Sequence, residues 1–315
     1  MATKIDYKQI IKNNGVLLAF LIICIALAIM SPVFFTVNNI MNIIRQTSIY
    51  GIIAVGMTFV ILTGGIDLSV GSILALSGVI CAGLMKRHDA PIWLASLAAI
   101  GVGASMGLVN GLLITIGKIA PFVVTLGMVT IGRGLTLIYT TGYPISGFSG
   151  EFRKLGGGYF LGIPIPVIIF LITVAIAWFI LNHTRLGRYT YAIGGNEETV
   201  KLSGINANFF KTAVYVIVGI TSALSSLILS SRLNSAEAVA GQGYELDVIA
   251  AVVIGGTSLT GGRGSIIGTF IGALLIGVIN NGMNLLGISP YFQQVVKGAL
   301  IIGAVILDRL RDDTN

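Results

Sequence analysis

"LTGGIDLSVGS", residues 62–72, stands between two long apolar runs, and its reading decides the fold. A charged side chain in lipid costs about 2.5–3.5 kcal/mol on insertion scales. Irregular backbone also needs hydrogen-bond partners that hydrocarbon does not supply. The stretch therefore marks a membrane boundary, or a break shielded inside protein beside a watery path. Its glycines, Gly64 and Gly65, allow a sharp turn with positive φ. Asp67 then suits the start of the next helix, where a carboxylate satisfies orphan amides and the helix dipole, with direct contact with a permeating solute as the alternative.

Composition agrees with a membrane setting. Of 315 residues, 55% are hydrophobic and only 10% charged, where a soluble domain carries about a quarter charged. Apolar runs of spanning length (roughly 20 residues) fall near 14–31, 48–63, 68–85, 91–117, 119–140, 164–182, 209–231, 264–285 and 290–308. A tenth, near 245–257, is too short to cross alone and ends in a glycine-rich break. The expectation is an all-α, polytopic membrane helix bundle of about ten spans, with broken segments near 64–68 and 257–263. The whole chain, 1–315, forms one transmembrane domain. The first run follows Lys4, Lys8 and Lys12 but has no small-x-small cleavage site, so it reads as an uncleaved span.

With a cytoplasmic N-terminus, eleven basic residues fall on inside segments against six outside. This bias places both termini in the cytoplasm. Gly103, Gly107 and Gly111 recur every four residues, as do Gly268 and Gly272. That spacing suits close helix packing. "LTGGRGSIIGTFIGALLIGVI" (259–279) echoes "LTGGIDLSVGSILALSGVI" (62–80), so Gly261 and Gly262 are expected to turn the chain as Gly64 and Gly65 do.

Chemical motifs are missing. "GLLITIGKI" (111–119) has five residues where a P-loop has four, and Ile119 where it needs Ser or Thr. "GFSGE" (147–151) lacks nucleophile-elbow spacing. Cys24 and Cys81 have no ligand-spaced neighbours, and His88 and His183 lie in loops. No catalytic or metal-binding residue is assigned, and no cofactor is expected in this chain. Asp67, Glu245 and Asp247 fall near span ends, so ion coupling is not encoded either. Any pumping must draw on another chain.

The longest inside loop, 183–208, contains a helix of about two turns. Asn196 caps it, Glu197 and Glu198 occupy its first turn, and Lys201 its last. Gly204 ends it, and Val200 and Leu202 are left exposed for something to cover. From spacing alone, folding back on the bundle and docking into a partner's groove remain equally open.

"GGIDLSVGS" (64–72), "TRLGRYTYAIGGNEETVKLSGI" (184–205) and "GYELDVIAAVVIGGTSLTGGRGS" (243–265) resemble the signature stretches of monosaccharide ABC importer permeases. The resemblance runs from about residue 31 to the C-terminus. It implies a homodimeric subunit of the bacterial inner membrane, beside an ATP-binding subunit that carries two nucleotide-binding modules and holds the ATP and Mg. An extracytoplasmic sugar-binding protein would deliver ribose or a similar monosaccharide. The resemblance also implies that Asn196, Glu197, Glu198, Val200, Leu202 and Gly204 form the element that contacts the ATPase. Phe122, Thr125 and Arg133, in a mid-chain span, are candidates for the solute path.

Overall fold

The computed structural model describes residues 7–312, with side chains for residues 17–306. Lys4, Lys8, Lys12, Arg309 and Arg311, counted above for orientation, have side chains outside the described residues. In chain order the helices are α1 (Tyr7–Met30), α2 (Val37–Leu62), α3 (Val70–Arg87), α4 (Ile92–Thr115) and α5 (Pro121–Thr140). There follow β1 (Ile145–Ser146), α6 (Gly150–Gly157), β2 (Tyr159–Phe160), β3 (Ile163–Pro164), α7 (Ile165–His183) and α8 (Arg185–Leu202). The chain closes with α9 (Ala207–Leu233), β4 (Ser235–Ala236), α10 (Tyr244–Ile254), α11 (Ile266–Leu285) and α12 (Pro290–Asp312).

The helix starts follow local chemistry. Thr36, Ser149, Asn206 and Ser265 each accept a first-turn N–H through the side chain, opening α2, α6, α9 and α11. Pro121 and Pro166 sit in the first turns of α5 and α7, where a missing N–H carries no penalty. The two-residue strands form only ties: β1 pairs antiparallel with β4, and β2 with β3.

The fold is an all-α membrane bundle. Among the described residues, seven helices are long and apolar enough to cross a bilayer: α2, α3, α4, α5, α7, α9 and α11. The expected count of about ten is not reached on that criterion. The apolar parts of α1 and α12, Leu17–Met30 and Pro290–Ile306, are shorter among the described residues, and α10 has 11 residues. At 1.5 Å per residue α10 reaches about 16 Å, half a hydrocarbon core.

Burial sorts the helices into layers. In α2, 83% of the apolar stretch is buried, against 28% in each of α4, α5 and α7. A helix apolar all round and enclosed is a core helix; Ile52, Ile53, Met57, Phe59 and Ile61 of α2 are sealed. Helix α9 packs against α2, α3 and α4, while α10 packs on α11 and α2. The glycine rows lie in these contacts. A Cβ on Gly103 or Gly107 would strike the Gly219 or Tyr215 carbonyl of α9, and one on Gly111 would come 2.7 Å from Thr212 Cα. Gly268 and Gly272 face the carbonyls of Gly255 and Ala251 in the same way. Small residues thus let backbones touch, as the four-residue spacing predicts.

Candidate coupling and translocation site

The two Leu-Thr-Gly-Gly stretches meet each other. The Gly262 N–H donates to the Leu62 carbonyl at 2.9 Å, joining the α10–α11 break to the end of α2. Gly64, Gly261 and Gly262 have φ of +74°, +89° and +74°, which only glycine adopts without strain. A third glycine pair completes the junction. A Cβ on Gly194 of α8 would collide with the Leu62 carbonyl oxygen and the Gly262 nitrogen. One on Gly262 would lie 3.1 Å from the Gly195 nitrogen, and one on Gly65 would lie 2.5 Å from the Tyr215 hydroxyl. The Tyr191 hydroxyl of α8 also donates to the Gly264 carbonyl at 2.8 Å. Helix α8 is therefore seated directly on both breaks.

Beyond the glycines α8 bends. Asn196 leaves helical geometry at φ −161°, ψ 101°, and its Oδ1 accepts the Thr199 N–H at 2.9 Å. Gly204, at φ +76°, ends the second half and donates to the Lys201 carbonyl. Glu197 bonds Lys201 at 2.7 Å and Lys211 of α9 at 2.8 Å. Burial pushes the Glu197 carboxyl upward, but the hydrogen bonds from Lys201 and Lys211 outweigh it and hold the group below its ordinary value. Val200 departs from the sequence expectation. It is buried with Ile193 and Ala207, because the inner face of this half-helix folds onto the start of α9. Leu202 is 90% exposed, and Glu198 is exposed beside it.

Asp67 is fully buried in the break before α3. Its Oδ1 accepts from the Ser69 N–H at 2.8 Å and the Ser69 hydroxyl at 2.5 Å. The Asn110 amide of α4 donates to Asp67 Oδ2 at 3.4 Å and to Ser69 Oγ at 2.9 Å. The carboxylate thus holds Ser69, the residue that precedes α3, and ties that turn to α4; it does not accept a first-turn N–H of α3 as the capping expectation required.

The three path candidates on α5 do not converge. Phe122 points outward, 57% exposed, while Thr125 is sealed and donates its hydroxyl to the Pro121 carbonyl at 2.9 Å. Arg133 lines a cavity. Its Nη1 donates to the carbonyls of Ala238 and, at 2.7 Å, Ala240, in the segment between β4 and α10. The cavity measures about 280 Å³ and is also walled by Leu68, Ser72, Gln242 and Glu245. Sequence reasoning did not assign Ser72, Gln242 or Glu245 to a path; the acid-bearing "GQGYE" (241–245) at a span end was the available signal. A second missed contact is the 2.8 Å ion pair between Lys297 of α12 and Asp247 of α10.

The chain matches the family model described as branched-chain amino acid transport system / permease component over residues 39–305. It is 52% identical to the ribose import permease protein of Bacillus subtilis, over 97% of this chain and 95% of that one. It is 49% identical to the ribose import permease protein of Escherichia coli K12, covering 93% and 92%. To the D-allose transport system permease protein of the same organism the identity is 44%, covering 92% and 90%. No solved structure matches the chain. With a model match across most of its length and relatives this near, the chain belongs to the branched-chain amino acid transport system / permease component family, and it is a multi-pass membrane permease.

Proposed function

We propose that the chain is the membrane subunit of an ATP-binding-cassette importer that carries ribose or a similar monosaccharide into the cytoplasm. The relatives named for ribose support the solute. The missing P-loop supports a separate ATP-binding subunit, and the resemblance to monosaccharide importer permeases implies that this subunit carries two nucleotide-binding modules and holds ATP and Mg, this chain holding no cofactor. An extracytoplasmic sugar-binding protein delivers the solute, and a second copy of the chain completes the pathway. The chain acts as a transporter subunit, not an enzyme.

In this reading there are ten crossings. The run from β4 to the 255–265 break joins opposite ends of the bundle, so the irregular segment 237–243 and α10 together make one crossing. An even number puts both termini on one face, and the basic bias makes that face cytoplasmic. The observation that carries the proposal is the seat of α8: one outward half-helix is joined through Gly194 to both broken segments. Movement imposed on Leu202 and Glu198 by an ATPase would reach α2–α3 and α10–α11 at once. The test is reconstitution of the chain with its ATP-binding and sugar-binding partners in liposomes. Ribose uptake that requires ATP and both partners is expected. Uptake by the chain alone would replace the importer reading with that of a self-contained carrier.

A further inference from the structure

Arg133 stands twelve residues after the start of α5 and seven before its end. At 1.5 Å per residue it lies about 18 Å and about 10 Å from the two ends, within the hydrocarbon thickness. A guanidinium at that depth belongs to a protein interior or a watery path, and so does irregular backbone. Both occur here together. The segment 237–243 leaves β4, runs through turns at Gly241 (φ +67°) and Gly243 (φ +82°), and only then enters α10. It lies so close to α3 that a Cβ on Gly71 would strike the Gly241 carbonyl.

The cavity between this segment, α3 and α5 is two-faced. Leu68, Val129, Leu137 and Val239 form an apolar side. On the other side, the Gln242 amide and the Glu245 carboxylate make no hydrogen bond to any described residue. Arg133 Nη1 is held by two carbonyls, and Nη2 and Nε have no hydrogen-bond partner among the described residues. Acceptors and donors on one wall with C–H-compatible carbon on the other suit a sugar ring. At about 280 Å³ the cavity is at the small end of ligand sites, which suits a solute as small as a pentose.

We propose that the cavity bounded by Ser72, Arg133, Gln242 and Glu245 is the station that holds a neutral, polyhydroxylated solute of monosaccharide size part-way across the bundle. Gln242 and Glu245 meet its hydroxyls, and Arg133 is the positioning residue that fixes the segment carrying them. This rests on the sugar-import reading of the chain.

The experiment uses the full transporter in liposomes, with Cys24 and Cys81 of this chain changed to Ala. Gln242→Cys is exposed to a small, membrane-impermeant thiosulfonate, with and without nucleotide. Asp89→Cys, in the loop after α3, is the labelling control. Labelling of Gln242→Cys in at least one nucleotide state, slowed fivefold or more by saturating ribose, allose or galactose, is expected. Glu245→Gln should raise the KM of uptake about tenfold while the protein level and the ATPase activity stimulated by loaded binding protein stay normal. The station is overturned if Gln242→Cys stays unlabelled in every state while the control reacts. It is equally overturned if no sugar slows labelling, or if Glu245→Gln leaves KM unchanged. Ribose uptake by the unmutated chain is scored separately: its absence, with labelling slowed by another sugar, rejects ribose and keeps the station.

Discussion

At the level of single residues, Gly194 and Gly195 are adjacent and alike, yet they stand in opposite situations. A methyl on Gly194 would run into backbone atoms of Leu62 and Gly262, which cannot swing aside, whereas one on Gly195 meets open space. Overpacking of this kind costs about 1–3 kcal/mol when the surroundings must shift. Gly194→Ala should therefore lower sugar uptake at least tenfold, while Gly195→Ala transports normally. Equal behaviour of the two variants would show that the junction is not a rigid seat. Asp67 is the other decisive residue. Its loss strands the Ser69 and Asn110 donors, at about 1–3 kcal/mol for a buried unsatisfied group. Asp67→Ala should reduce the amount of inserted protein, and Asp67→Asn, which keeps an acceptor, should reduce it less. Normal protein with abolished uptake would argue instead that Asp67 touches the solute. The glycine turns were legible in the sequence because positive φ and doubled glycine are local signals. That Gly194 would close on both of them was not, because the three pairs are separated by more than sixty residues.

At the level of elements, the half-helix after Asn196 shows where local reading stops. Its cap, its charges and its glycine end all follow from neighbours within four residues, and they are where spacing puts them. Which apolar side chain turns inward depends on what the helix lies against. Val200 faces α9 and Leu202 faces out, although both read as exposed apolar residues. The same limit hid the Lys297–Asp247 pair, whose partners sit on α12 and α10. The exposure of Leu202 yields a clean prediction. In the isolated chain Leu202→Asp puts a charge into water and should leave folding unchanged, since exposed substitutions stay within about 0.5 kcal/mol. Seated in an apolar groove of an ATPase, the same carboxylate would be buried unpaired, at a cost of several kcal/mol. Loss of both ATPase co-purification and uptake at normal membrane levels is expected, with Leu202→Met behaving as the parent. Retention of partner and uptake by Leu202→Asp would remove α8 as the coupling element.

At the level of the molecule, the proposed function puts energy and pathway in different chains. The bundle spends its glycines on contact between helices. The stretch nearest to a P-loop is an instance: Gly111 packs against Thr212 of α9, and Gly117–Lys118 form the turn after α4. A phosphate cradle needs free backbone N–H groups at a helix start, whereas this turn follows a helix end and Lys118 carries a φ of +53°. Helices α4, α5 and α7 present apolar outer faces, as lipid or a second copy of the chain requires. The seven spanning helices were legible as apolar runs of sufficient length, but the division into inner and outer helices was not, because both kinds are apolar all round. The purified chain in detergent should therefore show no ATP binding by equilibrium dialysis and no ATP hydrolysis above a mock preparation. Adding the ATP-binding subunit should restore turnover that rises when loaded sugar-binding protein is present. Hydrolysis that follows this chain through successive purification steps and disappears in Lys118→Met would place a nucleotide site within it, and the division of labour between chains would fail.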